Sequence, residues 1–418
     1  MTVIATTSPG FGRHGRVPHK LAENGWELIR CIDTSRPDGG LGEHLPRVDY
    51  LVVGLVPVTA ATLKAATRLK AVLKHGVGTD NIDIPACTAR GVPVLNTPGA
   101  NANAVAELAL GMMFSFARRI PQGHASVIAG GWDRKVGIEI AGRTLGIVGL
   151  GNIGKMLALK ALALGMKVVA SDLYPDKAFM AEHGIELMDL DALLAQSDFV
   201  SLHVFGGKDN AALIGAERLA RMKPTACLLN LARGEVVDAD ALHAALAEGR
   251  LGGAALDAYV TEPPDISHPL FALPNVIFSP HTGADTVEAV ERVGLMNIAD
   301  IEALPADHRG RQPARRPGAG DRSFRGADGR RPSRPRAQPG GFRAMTRGQE
   351  LPRHDAAALR EAAQALFSAA GLEKEKAAAG ARYRDAVAFA ADRLGEQGID
   401  LMLEPINGRD MPGYFLND

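Results

Sequence analysis

Residues 144–154 read TLGIVGLGNIG, an apolar run that leads directly into Gly149, Gly151 and Gly154 in the spacing G-x-G-x-x-G. This pattern predicts a strand, a tight turn and the start of a helix. The first glycine permits the turn, the second lets backbone approach a pyrophosphate, and the third lets the helix pack closely on the strand. The stretch therefore predicts a dinucleotide-binding α/β unit.

Residues within and after the glycine motif indicate how a dinucleotide would bind and which one is preferred. The backbone N–H groups of Asn152 and Ile153 would face the phosphates at the positive end of the helix dipole. A second apolar strand then leads to Asp172, where an acidic residue can accept hydrogen bonds from the adenosine ribose and repel a 2′-phosphate. The sequence therefore predicts NAD. The alternative is that the glycines serve packing alone and that Asp172 is a turn residue.

The same alternation of apolar runs and helical patterns extends from about residue 2 to 300. Strands without polar alternation are typical of a parallel sheet that helices cover on both faces. Strands are predicted at 50–53, 92–95, 144–148, 167–170, 199–203, 226–229 and 276–279. Helices are predicted at 102–118, 154–164 and 239–248. The fold class predicted from this pattern is a doubly wound α/β fold.

Two boundaries divide this region into domains. A long apolar helix after a Thr-Pro-Gly turn marks the entry into a second domain, and Asp285 is predicted to cap a helix that returns to the first domain. The buried face of this return helix is predicted to hold Val287, Val290, Ile298 and Ile301. We expect a small substrate domain, made of 1–98 and 285–303, with an NAD-binding domain at 99–284 inserted in it.

The α/β pattern stops at residue 304. Residues 304–350 are rich in Arg, Pro and Gly and contain almost no apolar side chains, so they predict a disordered linker. Nucleic-acid binding by this basic tract is the alternative. Helical patterns return at 355–370 and 373–395, followed by a single strand at 400–403 that should not be stable by itself.

The composition of the chain excludes several kinds of partner. The 418 residues contain 47 basic and 47 acidic side chains, so no overall field favours nucleic acid or an anionic membrane. The N-terminus has no basic segment before an apolar stretch, and no run is long enough to span a membrane. Cys31, Cys87 and Cys227 lie far apart, which predicts neither a disulfide framework nor a metal site. We therefore expect a cytoplasmic protein without a metal.

Three later side chains are suited to oxidoreductase chemistry. Arg233 follows the strand at 226–229, at the strand end where open α/β sheets bind ligands, and its guanidinium can hold a carboxylate bidentately. His281 follows the last strand and can exchange a proton with a carbonyl oxygen. Glu262 can orient that imidazole and favour its protonated form. Taken singly, each has a structural alternative such as a surface ion pair, and only their combination indicates catalysis.

These motifs resemble the D-2-isomer-specific 2-hydroxyacid dehydrogenases, which include phosphoglycerate, glycerate and hydroxypyruvate-reducing members. The matching stretches are HGVGTDNID at 75–83, NTPG at 96–99, the glycine motif, 230–238, ALDAY at 255–259 and SPHTGA at 279–284. The resemblance covers residues 1 to about 300. It implies an NAD-binding Rossmann domain inserted in a flavodoxin-like substrate domain, and a homodimer formed through the helix after Gly99.

The resemblance also implies roles for individual residues. Arg233, Glu262 and His281 would form a catalytic triad for hydride transfer between NAD(H) and C2 of a small D-2-hydroxy acid. Backbone at Val77 and Gly78 would receive the substrate carboxylate, with Lys74 nearby. The implied cofactor contacts are Gly149, Gly151, Asn152, Ile153, Gly154, Asp172, Leu231, Ala232, Asp257 (on the nicotinamide carboxamide), His281 and Gly283.

Two departures from the family pattern narrow the expected activity. Phosphoglycerate-using members usually carry Arg-Ser after the strand at 50–53, and this chain has Gly54-Leu55. Hydroxypyruvate, glyoxylate or glycerate is therefore favoured over 3-phosphoglycerate, although Lys74 could supply a compensating charge. The family also completes its small domain after the return helix, where this chain has the Arg/Pro-rich tract, so weakened activity is expected.

The C-terminal part has a resemblance of its own. Residues 372–418 resemble the middle of a hydroxypyruvate isomerase barrel, in which Glu404 would match the proton-transferring glutamate. Barrel sites are assembled from several strands and this part supplies one, so we expect no isomerase activity. We hypothesise a junction of two genes, with 304–350 translated in an unnatural frame. Abundant peptides spanning 309–347 in a stable natural product would contradict that. The alternatives are an NAD-sensing module without turnover and residual isomerase activity from the C-terminal part.

Overall fold

A computed structural model describes residues 1–304 of the chain. Within them the chain forms two sheets whose strands all pair in parallel. This confirms the predicted doubly wound α/β class. The predicted linker beyond Leu304 and the predicted isomerase-like fragment at 351–418 lie outside the described residues.

The strands are short and mostly buried, as expected where helices cover both faces of a sheet. The first sheet consists of β1 Val3–Thr6, β2 Glu27–Arg30, β3 Tyr50–Val53, β4 Ala71–Lys74 and β5 Val94–Leu95. The second consists of β6 Thr144–Val148, β7 Lys167–Ser171, β8 Glu186–Leu187, β9 Phe199–Leu202, β10 Cys227–Asn230, β11 Gly253–Leu256 and β12 Val276–Phe278. Their orders are β2-β1-β3-β4-β5 and β12-β11-β10-β9-β6-β7-β8.

Helices connect the strands as parallel pairing requires. They are α1 Val17–Glu23, α2 Ala60–Ala65, α3 Ile84–Ala89, α4 Ala102–Arg118, α5 Ile120–Ile128, α6 Asn152–Ala163, α7 Lys177–His183, α8 Leu190–Gln196, α9 Ala216–Leu219, α10 Ala239–Ala247 and α11 Val287–Ala303. Short 3₁₀ helices occur at Leu41–Glu43, Leu45–Arg47, Lys208–Asn210, Gly234–Val236 and Pro269–Ala272. None of the helices in residues 1–304 is long and apolar enough to cross a membrane.

Each sheet has its own buried core, and we call the two halves the first and second lobes. In the second lobe, α4 and α6 pack on one face of the sheet, where Met113, Leu157 and Phe199 are fully buried, and a separate apolar cluster covers the other face. In the first lobe, Leu51 and Leu63 are buried on one face. We propose that the lobes are the two predicted domains.

The return helix α11 packs on the first lobe, although its start differs from the prediction. Thr286, not Asp285, caps it, because the Thr286 hydroxyl accepts a hydrogen bond from the Ala289 N–H at 3.1 Å. Ile298 and Ile301 are buried against the first sheet as predicted. Val290 is buried as predicted, whereas Val287, the first residue of the helix, is 55% exposed.

Predicted element bounds are accurate to within two residues. The strands at 50–53 and 144–148 and the helix at 102–118 match the structure at both ends. The helix predicted from Gly154 begins earlier, at Asn152, because Gly151 is its N-cap. This earlier start places two more backbone N–H groups in the first helical turn.

Candidate active site

The loops that carry the predicted catalytic and cofactor residues lie at the carboxyl edge of the second sheet. The strand order reverses at β6, which has β7 on one side and β9 on the other. Ligands of open α/β sheets bind in the crevice outside this reversal point. The loop between β6 and α6 occupies that position and contains Gly149 and Gly151, and Gly154 lies in the first turn of α6.

The three glycines meet different local demands. Gly149 has a φ of +95°, and a Cβ there would lie 2.6 Å from the His203 carbonyl oxygen. A Cβ on Gly154 would lie 2.3 Å from the Gly149 carbonyl oxygen, so helix and strand touch here. A Cβ on Gly151 would meet nothing within 4 Å. The first and third glycines are therefore needed by the fold, and the second borders open space.

The first turn of α6 offers free hydrogen-bond donors to that space. No side chain caps the helix, and the N–H groups of Asn152 and Ile153 have no acceptor within residues 1–304. Donors at a helix N-terminus next to a glycine without a neighbouring atom suit a pyrophosphate. The loop therefore fits a dinucleotide.

Asp172 lies immediately after β7 and is bonded to this same loop. Its Oδ2 accepts from the Leu150 N–H at 2.7 Å, and its Oδ1 accepts from the Tyr174 N–H at 2.7 Å. Each carboxylate oxygen has a further lone pair available for a ribose hydroxyl. These bonds leave the carboxylate able to accept from a ribose hydroxyl, as the NAD prediction requires.

The contrast between Gly151 and Gly154 gives a matched pair of variants. We expect Gly154→Ala to lower the free energy of unfolding by about 1–3 kcal/mol, because the new methyl would overlap backbone. Gly151→Ala should leave the unfolding midpoint unchanged and weaken NADH binding, because its methyl would enter the cofactor's space. Chemical denaturation and NADH fluorescence titration measure the two quantities. Equal NADH affinity in Gly151→Ala and wild type would contradict the placement of the pyrophosphate.

Glu262 and His281 form a direct pair. Their Oε1 and Nδ1 atoms are 2.7 Å apart, and Oε1 also accepts from the Tyr259 N–H at 3.2 Å. Burial alone would raise the pKa of Glu262, but the hydrogen bond and charge of His281, with a smaller effect of Arg233, leave that pKa below its usual value. An ionised carboxylate only accepts, so Nδ1 carries a proton. The Nε2 atom has no partner within residues 1–304.

A buried carboxylate holds the loop on which His281 lies. Asp257 is 3% exposed. Its Oδ1 accepts from Ser279 Oγ at 2.5 Å and from the Thr282 N–H at 2.8 Å, and its Oδ2 accepts from the Gly283 N–H at 2.9 Å. These bonds enclose His281, which has a left-handed φ of +54°. Asp257 therefore positions the imidazole, and the predicted carboxamide contact would use the remaining lone pair on Oδ2.

Arg233 follows β10 and extends towards the first lobe. Its Nε donates to Asp80 Oδ2 at 2.7 Å and its Nη1 donates to its neighbour's carbonyl, Ala232 O, at 2.8 Å. Its Nη2 lies so near Gly78 that a Cβ there would be 1.6 Å away. The guanidinium thus lies against the Gly78 backbone, which the family resemblance implies as a carboxylate site.

The Val77–Gly78 backbone is open to a ligand on its donor side. The Val77 carbonyl accepts from Asn96 Nδ2 at 2.8 Å. The N–H groups of Val77 and Gly78 donate to no acceptor within residues 1–304. Two free donors beside a guanidinium suit a carboxylate.

Lys74 lies at the end of β4 and is more enclosed than predicted. It is 5% exposed, and its Nζ donates to the Gly54 carbonyl at 2.6 Å and to Asn81 Oδ1 at 2.8 Å. Burial, followed by the like charge of Arg233, lowers its pKa to about 8. Two of its three donors are occupied, so at most one remains for substrate.

The other predicted cofactor residues lie on the same edge. Leu231 and Ala232 have buried side chains, and the Ala232 N–H is held by Asn230 Oδ1 at 3.1 Å. Gly283 packs against Asp257, and a Cβ added at Gly283 would lie 3.0 Å from Asp257 Oδ2. Sequence reasoning gave no role to Asp80 or to Asn96, although both stand in stretches that match the family. Within residues 1–304, no group of three or more His, Cys, Asp or Glu side chains forms a metal site.

Comparisons with known proteins agree with this geometry. Residues 110–283 match the NAD binding domain of the D-isomer specific 2-hydroxyacid dehydrogenases. The hydroxypyruvate reductase of Thermotoga maritima is 43% identical over 262 residues, which cover 62% of this chain and 85% of that protein. The D-3-phosphoglycerate dehydrogenase of Archaeoglobus fulgidus is 40% identical over 284 residues, which cover 67% of this chain and 54% of that protein. The match thus spans about half the length of the latter relative.

A solved structure extends the likeness to both lobes. The D-lactate dehydrogenase of Aquifex aeolicus, in complex with NAD and lactic acid, has a TM-score of 0.63 and 28% identity, over 72% of this chain and 95% of that one. The resemblance found in the sequence motifs is therefore confirmed. The chain belongs to the D-isomer specific 2-hydroxyacid dehydrogenase family and contains that family's NAD-binding domain.

Proposed function

We propose that the chain is an NAD-dependent dehydrogenase that transfers a hydride between NAD(H) and C2 of a small D-2-hydroxy acid or 2-keto acid. The observation that carries this proposal is the 2.7 Å pair of Glu262 and His281, which leaves the imidazole Nε2 open. The pair lies within the electrostatic influence of Arg233, a cation suited to a substrate carboxylate. A site that only bound NAD would need neither the Glu262–His281 pair nor Arg233, whereas a site that converts a 2-keto acid needs both.

The residues divide the work by their chemistry. Arg233, with the free N–H groups of Val77 and Gly78, binds and orients the substrate carboxylate. His281 Nε2 gives a proton to the C2 oxygen during reduction and takes it back during oxidation. Glu262 accepts a hydrogen bond from Nδ1 and fixes the orientation of the imidazole. NAD(H), when bound along the glycine loop, accepts or supplies the hydride.

The substrate is proposed to be unphosphorylated, such as hydroxypyruvate, glyoxylate or glycerate. Gly54 has no side chain, and its surroundings leave little room for one, because a Cβ would lie 3.1 Å from the Thr7 carbonyl. Leu55 beside it is exposed and apolar. Lys74, which could supply a positive charge in place of the missing arginine, is almost fully enclosed. A phosphate would therefore find no arginine at this position.

The titration of Lys74 predicts a pH dependence. Burial lowers its pKa to about 8, so the ammonium is charged below that pH and neutral above it. Because the charged form attracts an anionic 2-keto acid, KM should rise above this pH, by at most about tenfold per unit for the loss of one proton. Steady-state KM profiles of wild type and Lys74→Arg, which stays charged, check this. A wild-type KM that is flat across this range would remove Lys74 from substrate binding.

A substrate panel tests the proposed activity. NADH oxidation should be measured with glyoxylate, hydroxypyruvate, pyruvate and 3-phosphohydroxypyruvate. We expect turnover of at least one unphosphorylated acid and weaker use of the phosphorylated one. NADH binding without turnover of any 2-keto acid would instead indicate an NAD-sensing module. Conversion of hydroxypyruvate without NADH would indicate isomerase activity.

We also propose a homodimer, in which α5 and the segment after it join α4 at the interface. The exposed apolar side chains there include Ile120, Val127, Ile128, Trp132 and Val136. Exposed apolar side chains concentrated in one segment are typical of an interaction site. We expect a dimer in sedimentation equilibrium and a monomer for the Trp132→Glu, Val136→Glu double variant. A monomeric wild type would contradict the proposal.

A cytoplasmic location is proposed from the cysteines. Cys31, Cys87 and Cys227 are buried and unpaired, and burial raises the pKa of Cys31 and of Cys87 to about 11. Unpaired, unreactive thiols suit a reducing compartment. Cell fractionation would test this, and recovery of the protein outside the cytoplasm would contradict it.

A further inference from the structure

A carboxylate of the first lobe is bonded to the arginine of the second. Asp80, in the loop after β4, accepts from Arg233 Nε through Oδ2 at 2.7 Å. The Asp80 side chain is 50% exposed, so nothing in the core requires it to be acidic. Surface ion pairs contribute little to stability, and this one lies beside the predicted carboxylate subsite. Its role is therefore to be found in the site.

The contact uses a particular edge of the guanidinium. The Nε–H of Arg233 donates to Asp80, and one Nη1 proton donates to the Ala232 carbonyl oxygen, with an Nη1–O distance of 2.8 Å. One proton of Nη1 and both protons of Nη2 have no acceptor within residues 1–304. The terminal edge of the fork, formed by both Nη atoms, is thus free for a bidentate carboxylate.

The same contacts determine where that free edge lies. Nη2 is placed against Gly78, 1.6 Å from the position of an added Cβ, and Asp80 Oδ1 is 3.3 Å from that position. An arginine side chain has many rotamers, and an anchored Nε removes most of them. Asp80 therefore fixes the rotation of the guanidinium about its stem.

We infer that Asp80 is a positioning residue that holds the terminal edge of Arg233 towards the substrate carboxylate and does not itself touch substrate. The inference rests on the proposed function, since it assigns the carboxylate to Arg233. The opposite role, in which Asp80 competes with substrate for the arginine, would need Asp80 on the terminal edge. It holds Nε instead.

Two variants of Asp80 and a matched control test this role. Asp80→Asn keeps the shape and a neutral acceptor, and Asp80→Ala removes the acceptor. The control is Asp240→Asn, which removes one carboxylate from a fully exposed position on α10. Asp240 pairs with His268, and both residues are distant in sequence from Asp80. For each protein we would measure the Kd of oxamate, an unreactive 2-keto acid mimic, with NADH present, together with NADH affinity, KM, kcat and the unfolding midpoint.

We expect Asp80→Ala to weaken oxamate binding by about tenfold, because a misplaced binding group loses its geometric advantage. Asp80→Asn should fall between Asp80→Ala and wild type. NADH affinity and the unfolding midpoint should match those of wild type and of Asp240→Asn. KM for the 2-keto acid should follow the oxamate Kd.

Other results would overturn the inference. Unchanged oxamate binding in both variants would remove Asp80 from the site, and tighter binding would make it a competitor. Parallel losses of NADH affinity or of stability would show a general disturbance in place of positioning. A wild-type protein that neither binds oxamate nor reduces any 2-keto acid would contradict the proposed function. A wild-type protein that does both, with unchanged oxamate binding in the Asp80 variants, would contradict only the role of Asp80.

Discussion

His281→Ala should lower kcat by about 10²- to 10⁴-fold and leave NADH affinity unchanged. The imidazole is the group that exchanges the substrate proton, and its Nε2 is the open atom of the Glu262 pair. NADH affinity should persist, because the predicted pyrophosphate contacts of the glycine loop and the predicted ribose contact of Asp172 do not involve His281. The loss should therefore appear in turnover and not in cofactor binding.

The measurement is a stopped-flow rate of NADH oxidation at saturating 2-keto acid, with NADH affinity measured by fluorescence. His19→Ala is the control, since His19 lies exposed on α1 and pairs only with Glu23. It should behave as wild type. If His281→Ala turned over like wild type, His281 would have no part in the proton transfer.

Arg233→Ala should lower kcat/KM by roughly 30-fold to several thousand-fold, equivalent to about 2–5 kcal/mol for an unpaired carboxylate. The variant leaves the substrate carboxylate without its bidentate partner and Asp80 without its cation. Most of the change should appear in KM, because the free N–H groups of Val77 and Gly78 remain as weaker donors.

Arg233→Lys should recover only part of the loss, because an ammonium keeps the charge but lacks the planar fork. The control is Arg221→Ala, which removes an exposed arginine paired with Asp191. If kcat/KM changed equally in Arg221→Ala and Arg233→Ala, the substrate carboxylate would have to bind elsewhere.

The main features of the fold could be predicted because they are local in sequence. The strand at 144–148, the helix at 102–118 and the glycine turn each follow from an apolar run or a spacing that a short window contains. Thr286 and Asp285 show the limit of such reasoning. Both residues favour a helix cap, and only the path of the chain after β12 decides which of them begins α11.

The site was predictable only in part, for the same reason. Arg233, Glu262 and His281 stand at strand ends, where position along the chain indicates their location. The bond from Arg233 to Asp80 joins residues 153 positions apart and depends on how two lobes meet, which no local pattern contains. The enclosure of Lys74 by Gly54 and Asn81 is likewise set by packing.

The stereochemistry of the reaction tests the central claim most directly. The wild-type chain should be incubated with NAD and, separately, the D and L enantiomers of glycerate and of lactate, and NADH formation followed by absorbance. We predict NADH from at least one D enantiomer and none from either L enantiomer. Formation of NADH from an L enantiomer alone, or from none of the four acids, would contradict the assignment of a D-2-hydroxy acid dehydrogenase.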